Sequence, residues 1–400
     1  MIKKFKYNLL SDAFNEKDIN EGINVLKSKK ITISKITKNF EKYFAKKIGA
    51  KYALMTNSGS SSNLLALSAL TNPLNIKEIT PGSEVIIPAI CWSTSLWPII
   101  QNNLKPIFVD VKIDTFNIDI DKIEKKITKK TKAIMIVHVL GTSTNMTKLM
   151  QLTKKYKLTL IEDTCESLGT TYKKKQLGTF GRFGTYSFYY SHQITSGEGG
   201  MIVCNDLKDY NILKSLRSHG WSRDTLFHKN YSKKYKDLDN RFLFIGPGFN
   251  LRPTEIQAAI AFNQFKRFNK MIKLRSDNRK KIINNLKKHK NWNNQFEFVK
   301  IDKMIKPSWF GLPILIKDKK INKKKFLEKL SKKGIENRPI ISGNFLNQPA
   351  SKLYNFSFKK NDFKISDDIE KRGFFIGLHT KKISNNELNY IVNSLLSINN

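Results

Sequence analysis

The sequence predicts an α/β protein built on a large, mostly parallel sheet, followed by a smaller C-terminal α+β domain. Three observations carry that expectation. From Tyr52 to Asn205, short apolar runs alternate with longer amphipathic stretches, the pattern of strands joined by helical crossovers and covered on both faces. The chain has 400 residues, more than one typical domain holds. From Asn291 onward the elements become shorter and more mixed.

The elements follow in order. The first 45 residues alternate Lys with Ile, Phe and Leu at roughly helical spacing, as a helix pair packing onto the body would. Strands are expected at Glu84–Pro88, Pro106–Val109, Ala133–Val139, Leu158–Glu162, Thr185–Tyr189 and Met201–Cys204. Thr254 to about Met271 predicts one long helix, and a Lys- and Asn-rich helical stretch continues to about Lys290. Short strands and helices then include Trp309–Ile316, Lys323–Lys333 and Asn386–Ser397. The division expected is 1–270 for the large domain and 271–400 for the small one.

About 40% of the residues are hydrophobic, enough to bury a sizeable core. The formal charge is +39, from 72 Lys and Arg against 33 Asp and Glu. The lysines are dispersed in short runs among Asn and Ile, which is the pattern of a solvated surface. No nucleic-acid motif, stacking repeat or zinc-finger spacing supports a polyanion partner, so nucleic acid is not expected. A basic surface still steers small anionic substrates toward a cleft. Cys91, Cys165 and Cys204 form an odd, unpaired set, which argues against a disulfide framework or a metal site. Met1–Leu10 is basic without an apolar core, unlike a signal peptide, and no stretch approaches the ~20 apolar residues of a membrane helix. A cytoplasmic protein is the expectation.

Ligands in such sheets sit beyond the C-terminal ends of the strands. Three segments carry chemistry there. Thr56–Asn63, Thr-Asn-Ser-Gly-Ser-Ser-Ser-Asn, is a small, hydroxyl-rich turn opening a helix; it suits a phosphate, and equally an ordinary helix cap. Leu160–Glu166 ends a strand in acidic residues. Asp163 there is either a helix cap or a carboxylate on the site floor that needs a cationic partner. Ser187–Gly200 holds His192 and a Gly-Glu-Gly-Gly turn before a strand. A lone histidine is usually structural, but imidazole also moves protons near neutral pH.

Together, in order, spacing and wording, these segments resemble the DegT/DnrJ/EryC1/StrS sugar aminotransferase family. The resemblance spans almost the whole chain and is densest from Asn57 to Arg252. That family's wording is a Ser-Phe start, a Schiff-base lysine five residues after the serine, then Gly-Glu-Gly-Gly. Here Ser187 and Gly197–Gly200 match, and His192 stands at the lysine position. Within the family this replacement marks a 3-dehydratase branch. Pro88–Thr94, Arg217–Trp221, Gly248–Pro253 and Arg338-Pro339 with Gly343–Phe345 are similar to that branch as well.

The resemblance implies a type I pyridoxal-phosphate aspartate-aminotransferase fold, working with pyridoxal and pyridoxamine 5′-phosphate (PLP and PMP). Gly59, Ser60 and Ser187 would hold the phosphate, with Asn250 doing so from the neighbouring subunit of a homodimer. Asp163 would pair with the pyridine nitrogen and Trp92 would stack on the ring. Glu166, where many relatives have glutamine, would meet the ring edge. His192 would be the catalytic base. His219 and Arg338 are substrate-side candidates, each equally readable as an ordinary surface residue. His138 either borders the pocket or is a satisfied core histidine.

The activity implied is removal of the C3 hydroxyl from a nucleotide-linked 4-keto-6-deoxy sugar of the GDP-4-keto-6-deoxymannose kind, with L-glutamate as amino donor. Bacterial lipopolysaccharide O-antigen is a usual destination of such sugars. One type in that branch ligates an iron–sulfur cluster through four cysteines beyond the active histidine. Only Cys204 lies beyond His192, so no such cluster is expected. Two rivals stand beside this reading: an ordinary aminotransferase, against which His192 argues directly, and a non-catalytic homologue that only binds cofactor or nucleotide sugar.

Overall fold

The computed structural model describes residues 5–11, 13–75, 79–318 and 321–397. Met1–Lys4 of the basic N-terminal segment lie outside them. Seven strands form the main sheet: β1 Tyr52–Thr56, β2 Glu84–Pro88, β3 Lys105–Val109, β4 Thr131–Val137, β5 Thr159–Asp163, β6 Phe183–Ser187 and β7 Gly200–Cys204. Their spatial order is β1-β7-β6-β5-β4-β2-β3. From β3 across to β6 every pairing is parallel. Only β7 runs against both its neighbours. Strands β2, β6 and β7 are buried at every residue, because helices cover both faces.

Six of these strands lie within two residues of their expected ends. β1 is additional. Its Tyr-Ala-Leu-Met-Thr has little β-branching, and it is held at the sheet's edge by an antiparallel register with β7, Met55 opposite Met201. The N-terminal helix pair is present as Glu16–Ser28 and Lys35–Ile48. The second helix begins on a carboxylate from elsewhere. Glu255 accepts hydrogen bonds from the backbone N–H groups of Ser34, Ile36 and Thr37 and from the Thr37 hydroxyl.

One element differs. In place of a single helix from Thr254 to about Met271 there are two, Glu255–Lys266 and Phe268–Lys288. Arg267 between them leaves helical geometry, at φ −103° and ψ 10°. Its guanidinium reaches Asp18 on the first helix, with Nη1 2.8 Å from Oδ1. The apolar periodicity runs through the joint, so the turn is a tertiary effect with no local signal.

Four further strands make an antiparallel sheet: β8 Phe296–Phe298, β9 Gly311–Ile316, β10 Asn337–Pro339 and β11 Gly373–Gly377, in the order β8-β9-β11-β10. Apolar side chains from both sheets join one buried cluster, so the two layers share a core.

Glu162 shows how the floor of the sheet is set. Fully buried on β5, it accepts from the N–H groups of Gly178, Phe180 and Gly181 and lies 3.1 Å from His138 Nε2. The other nitrogen of His138 meets the Ser143 hydroxyl at 3.1 Å. His138 is therefore a satisfied core histidine. Replacing Glu162 by alanine strands one buried and two half-buried N–H groups and one buried imidazole. Urea unfolding is expected to report a loss of about 3 kcal/mol or more for Glu162→Ala.

Candidate active site

The C-terminal ends of β1, β4, β5 and β6 open onto a cleft of about 660 Å³, closed on its far side by Phe310, Arg338, Pro339 and Phe375 of the second layer. At its centre is Asp163, the last residue of β5 and only 4% exposed. One carboxylate oxygen accepts from Asn63 Nδ2 at 2.8 Å and from Ser95 Oγ at 2.7 Å. The other accepts from the Cys165 N–H at 3.1 Å. Asn63 is itself fixed by the Thr185 hydroxyl, 2.6 Å from its Oδ1. Among the described residues no Lys or Arg pairs with Asp163, which is taken out of water and faces the cleft.

The helix Gly59–Leu70 points its N-terminus into the same cleft. Ser58 caps it, accepting from Ser61 N. The first-turn N–H groups of Gly59 and Ser60 have no intrahelical acceptor. Gly59 is required here: a Cβ would stand 2.5 Å from the Ser187 Cβ and 2.9 Å from the Cys165 Sγ. Gly200, from the Gly-Glu-Gly-Gly turn, admits the backbone of Ser58 in the same way, since a Cβ would fall 2.3 Å from the Ser58 carbonyl oxygen. Ser60 Oγ donates to Thr94 Oγ1 at 2.9 Å, which ties this cradle to the segment carrying Trp92. Trp92 lines the cleft with 56% of its surface exposed, an indole left open where a flat ligand can cover it.

His192 stands at the other side. Its ring lies edge-on to Phe310, 5.0 Å between centroids, and to Tyr189 at 5.8 Å. Nδ1 is buried without a partner, and the residue lines the cleft. Burial, with the charge of Arg275 adding to it, pushes the imidazole down to about 3, so the ring is neutral at physiological pH. Glu166 accepts from the Leu140 N–H at 3.0 Å. Burial pushes its carboxyl up to about 7; the Leu140 hydrogen bond opposes this and the charge of Asp163 adds to it.

The cleft thus gathers Gly59, Ser60, Trp92, Asp163, Glu166, Ser187, His192 and Arg338. Arg338 reaches it from β10 while paired with Glu336 at 2.8 Å. Asn250 and His219 lie elsewhere. They flank Arg252, which donates to Asn250 Oδ1 at 3.0 Å and sits 3.2 Å from His219 Nε2, beside Trp221. Sequence reasoning missed Asn63, Ser95, Tyr189 and Phe310. Asn63 had a signal: four residues after Gly59 it shares that helix face. Ser95 and Phe310 had none.

A model of the DegT/DnrJ/EryC1/StrS aminotransferase family matches residues 12–396. The chain belongs to that family. Among its relatives is the GDP-4-keto-6-deoxy-D-mannose 3-dehydratase of Escherichia coli O55:H7, 37% identical over 96% of this chain and 98% of that one. An E. coli GDP-4-keto-6-deoxy-D-mannose-3-dehydratase structure with bound hydrated PLP superposes with a TM-score of 0.89 at 36% identity, covering 98% of this chain and all of that one. A structure of GDP-4-keto-6-deoxymannose-3-dehydratase with a trapped PLP-glutamate geminal diamine gives 0.88 at 35%, with the same coverage.

The residues present fit the family's PLP. A cradle that a Cβ would fill, a buried carboxylate without a cation, and an open indole are the three contacts that a phosphate, a pyridinium and a ring face require.

The neutral glutamine isostere tests Glu166. With its carboxyl raised to about 7 from an ordinary 4.5, the folded state holds a proton that the unfolded state has released. The resulting stability is complete below the lower value and is lost as pH rises through the upper one. Melting temperatures of cofactor-free protein are expected to fall less between about pH 5 and about pH 8 in Glu166→Gln than in the parent.

Proposed function

We propose that the protein removes the C3 hydroxyl of a nucleotide-linked 4-keto-6-deoxy sugar, in the manner of GDP-4-keto-6-deoxymannose 3-dehydratase, giving a 4-keto-3,6-dideoxy sugar. The observation that carries this is the imidazole of His192, lining the cleft at the position where aminotransferases of the family carry lysine.

Bound as PMP, the cofactor supplies an amine for the sugar's keto group and a conjugated ring that withdraws electrons from a carbon losing its proton. Gly59, Ser60 and Ser187 would hold its phosphate, Asp163 would pair with its ring nitrogen, Trp92 would cover one face and Glu166 would meet the ring edge; that all line one cleft supports this. His192 would take the proton from that carbon, and the same imidazole, then cationic, would hand a proton to the oxygen leaving C3 so that it departs as water. Hydrolysis of the dehydrated sugar would return its ketone and release the nitrogen as ammonia, and L-glutamate would supply the next amine, leaving as 2-oxoglutarate. With no side chain bonded to PLP at position 192, the binding groups supply the whole of its affinity. An ordinary aminotransferase would need a lysine there, and Lys173–Lys175 lie far upstream in the motif.

We also read the nucleotide diphosphate as meeting Arg338, whose planar fork suits phosphate. Asn250 and His219 are read as serving the cleft of a second copy in a homodimer. Their exclusion from the cleft of their own chain supports this. So does the exposed apolar surface of the same arm, with Leu238, Phe242 and Phe244 each more than half exposed. The division near residue 270 is likewise a proposal, supported by the second sheet drawing all its strands from beyond it. No helix among the described residues is long and apolar enough to cross a membrane. Free Cys91, Cys165 and Cys204 support a reducing, cytoplasmic setting.

Two measurements test these readings. Protein reconstituted with PLP should lose the aldehyde absorbance on adding glutamate and should show no lysine adduct after borohydride. His192→Asn should cut dehydration by about 10²- to 10⁴-fold; undiminished turnover, or an aminated rather than deoxygenated product, would sink the reading. Sedimentation equilibrium should give twice the 46.2 kDa chain mass, and a monomer with full activity would remove the roles given to Asn250 and His219.

A further inference from the structure

Arg275 is 2% exposed, on the helix Phe268–Lys288, and no carboxylate pairs with it among the described residues. Its guanidinium is spent on three backbone carbonyls. Nη1 donates to Trp309 and Phe310, both at 3.1 Å, and Nη2 to His192 at 3.2 Å. A buried cation satisfied only by carbonyls is costly in stability terms, and such groups are kept for what they position. The next residue is held as firmly. Gln193, also 2% exposed, donates from Nε2 to the carbonyls of Glu166 and Ser308, the latter at 3.2 Å. Both braces end on one segment, 308–310, whose Phe310 lies edge-on to the His192 ring. That segment rests directly on Gly141 at the exit of β4, where a Cβ would fall 2.1 Å from the Ser308 carbonyl oxygen. Ser308 N is pinned in addition by the Thr170 hydroxyl at 3.0 Å.

We propose that Arg275 and Gln193 are positioning residues that clamp the backbone at His192 and the residue after it to the segment 308–310 and so hold the imidazole in register with the cleft. The inference rests on the dehydratase reading and deepens it. A lysine in this place is held by its own bond to the cofactor. An imidazole has no such tether, so the chain must supply the registration that the bond would have given. The guanidinium does this with three donors in one plane, which an ammonium cannot reproduce. The charge is also retained: burial lowers Arg275 only to about 10.

The test compares Arg275→Met, Arg275→Lys and Gln193→Met with the parent and with His192→Asn, all as PLP-reconstituted protein. A displacement of about 1 Å at a proton-transfer group costs about 10²-fold in rate. Arg275→Met is expected to lower kcat for dehydration by that order. KM for the sugar and the dissociation constant for PLP should stay within about threefold, and Arg275→Lys should recover part of the loss. Gln193→Met, which removes no charge, should show the same split, and it decides the matter alone if Arg275→Met does not fold. Unchanged kcat in the variants overturns the proposal. So does a parallel loss of PLP affinity and kcat, which would mark a merely structural role. Full turnover by His192→Asn would instead overturn the dehydratase reading itself, whatever the brace variants do.

Discussion

The site depends on one carboxylate kept dry. Asp163 ends the central strand β5, and three separate pieces of chain converge on it: Asn63 from the helix of the phosphate cradle, Ser95 from the helix after Trp92, and the Cys165 N–H from its own turn. Those donors satisfy a carboxyl group taken out of water, and in doing so they tie the cradle and the helix after Trp92 to the sheet. The acceptor at the end of β5 is thus already desolvated and turned to the cleft, so little reorganisation is left for a ligand that pairs with it.

That preorganisation matters more here than in a lysine-bearing relative. Covalent attachment lets an enzyme tolerate loose noncovalent contacts, because the bond retains the cofactor between turnovers. With histidine at position 192, retention falls to hydrogen bonds and stacking. The close approaches of Gly59 to Ser187 and of Gly200 to Ser58 serve that retention, since each lets backbone come nearer than any side chain would permit. The net charge of +39 adds a long-range contribution: a nucleotide diphosphate and glutamate are both anions, and a positive surface raises their encounter rate with the cleft.

The two acidic neighbours at the end of β5 show how one sequence run serves two purposes. Glu162 points into the core and anchors the 178–181 turn and His138, whereas Asp163 points to the cleft. Alternation along a strand separates them onto opposite faces. His138, just past the end of β4, is satisfied by Glu162 and Ser143, whereas His192 lies on an irregular loop that lines the cleft.

By itself the sequence determined the sheet, the cradle and the histidine, because each is written in local pattern. Short apolar runs at crossover spacing mark β2 to β7, a Ser/Gly-rich turn opens the helix at Gly59, and the wording from Ser187 to Gly200 places the imidazole after β6. Only the tertiary structure decided what holds these in register. Arg275 and Gln193 grip carbonyls, and Ser95 and Asn63 grip a carboxylate dozens of residues away. The bend at Arg267 answers an aspartate near the start of the chain. Such contacts join side chains to partners distant along the chain, and a backbone carbonyl looks the same at every position, so nothing in the local order of residues distinguishes the ones that are used.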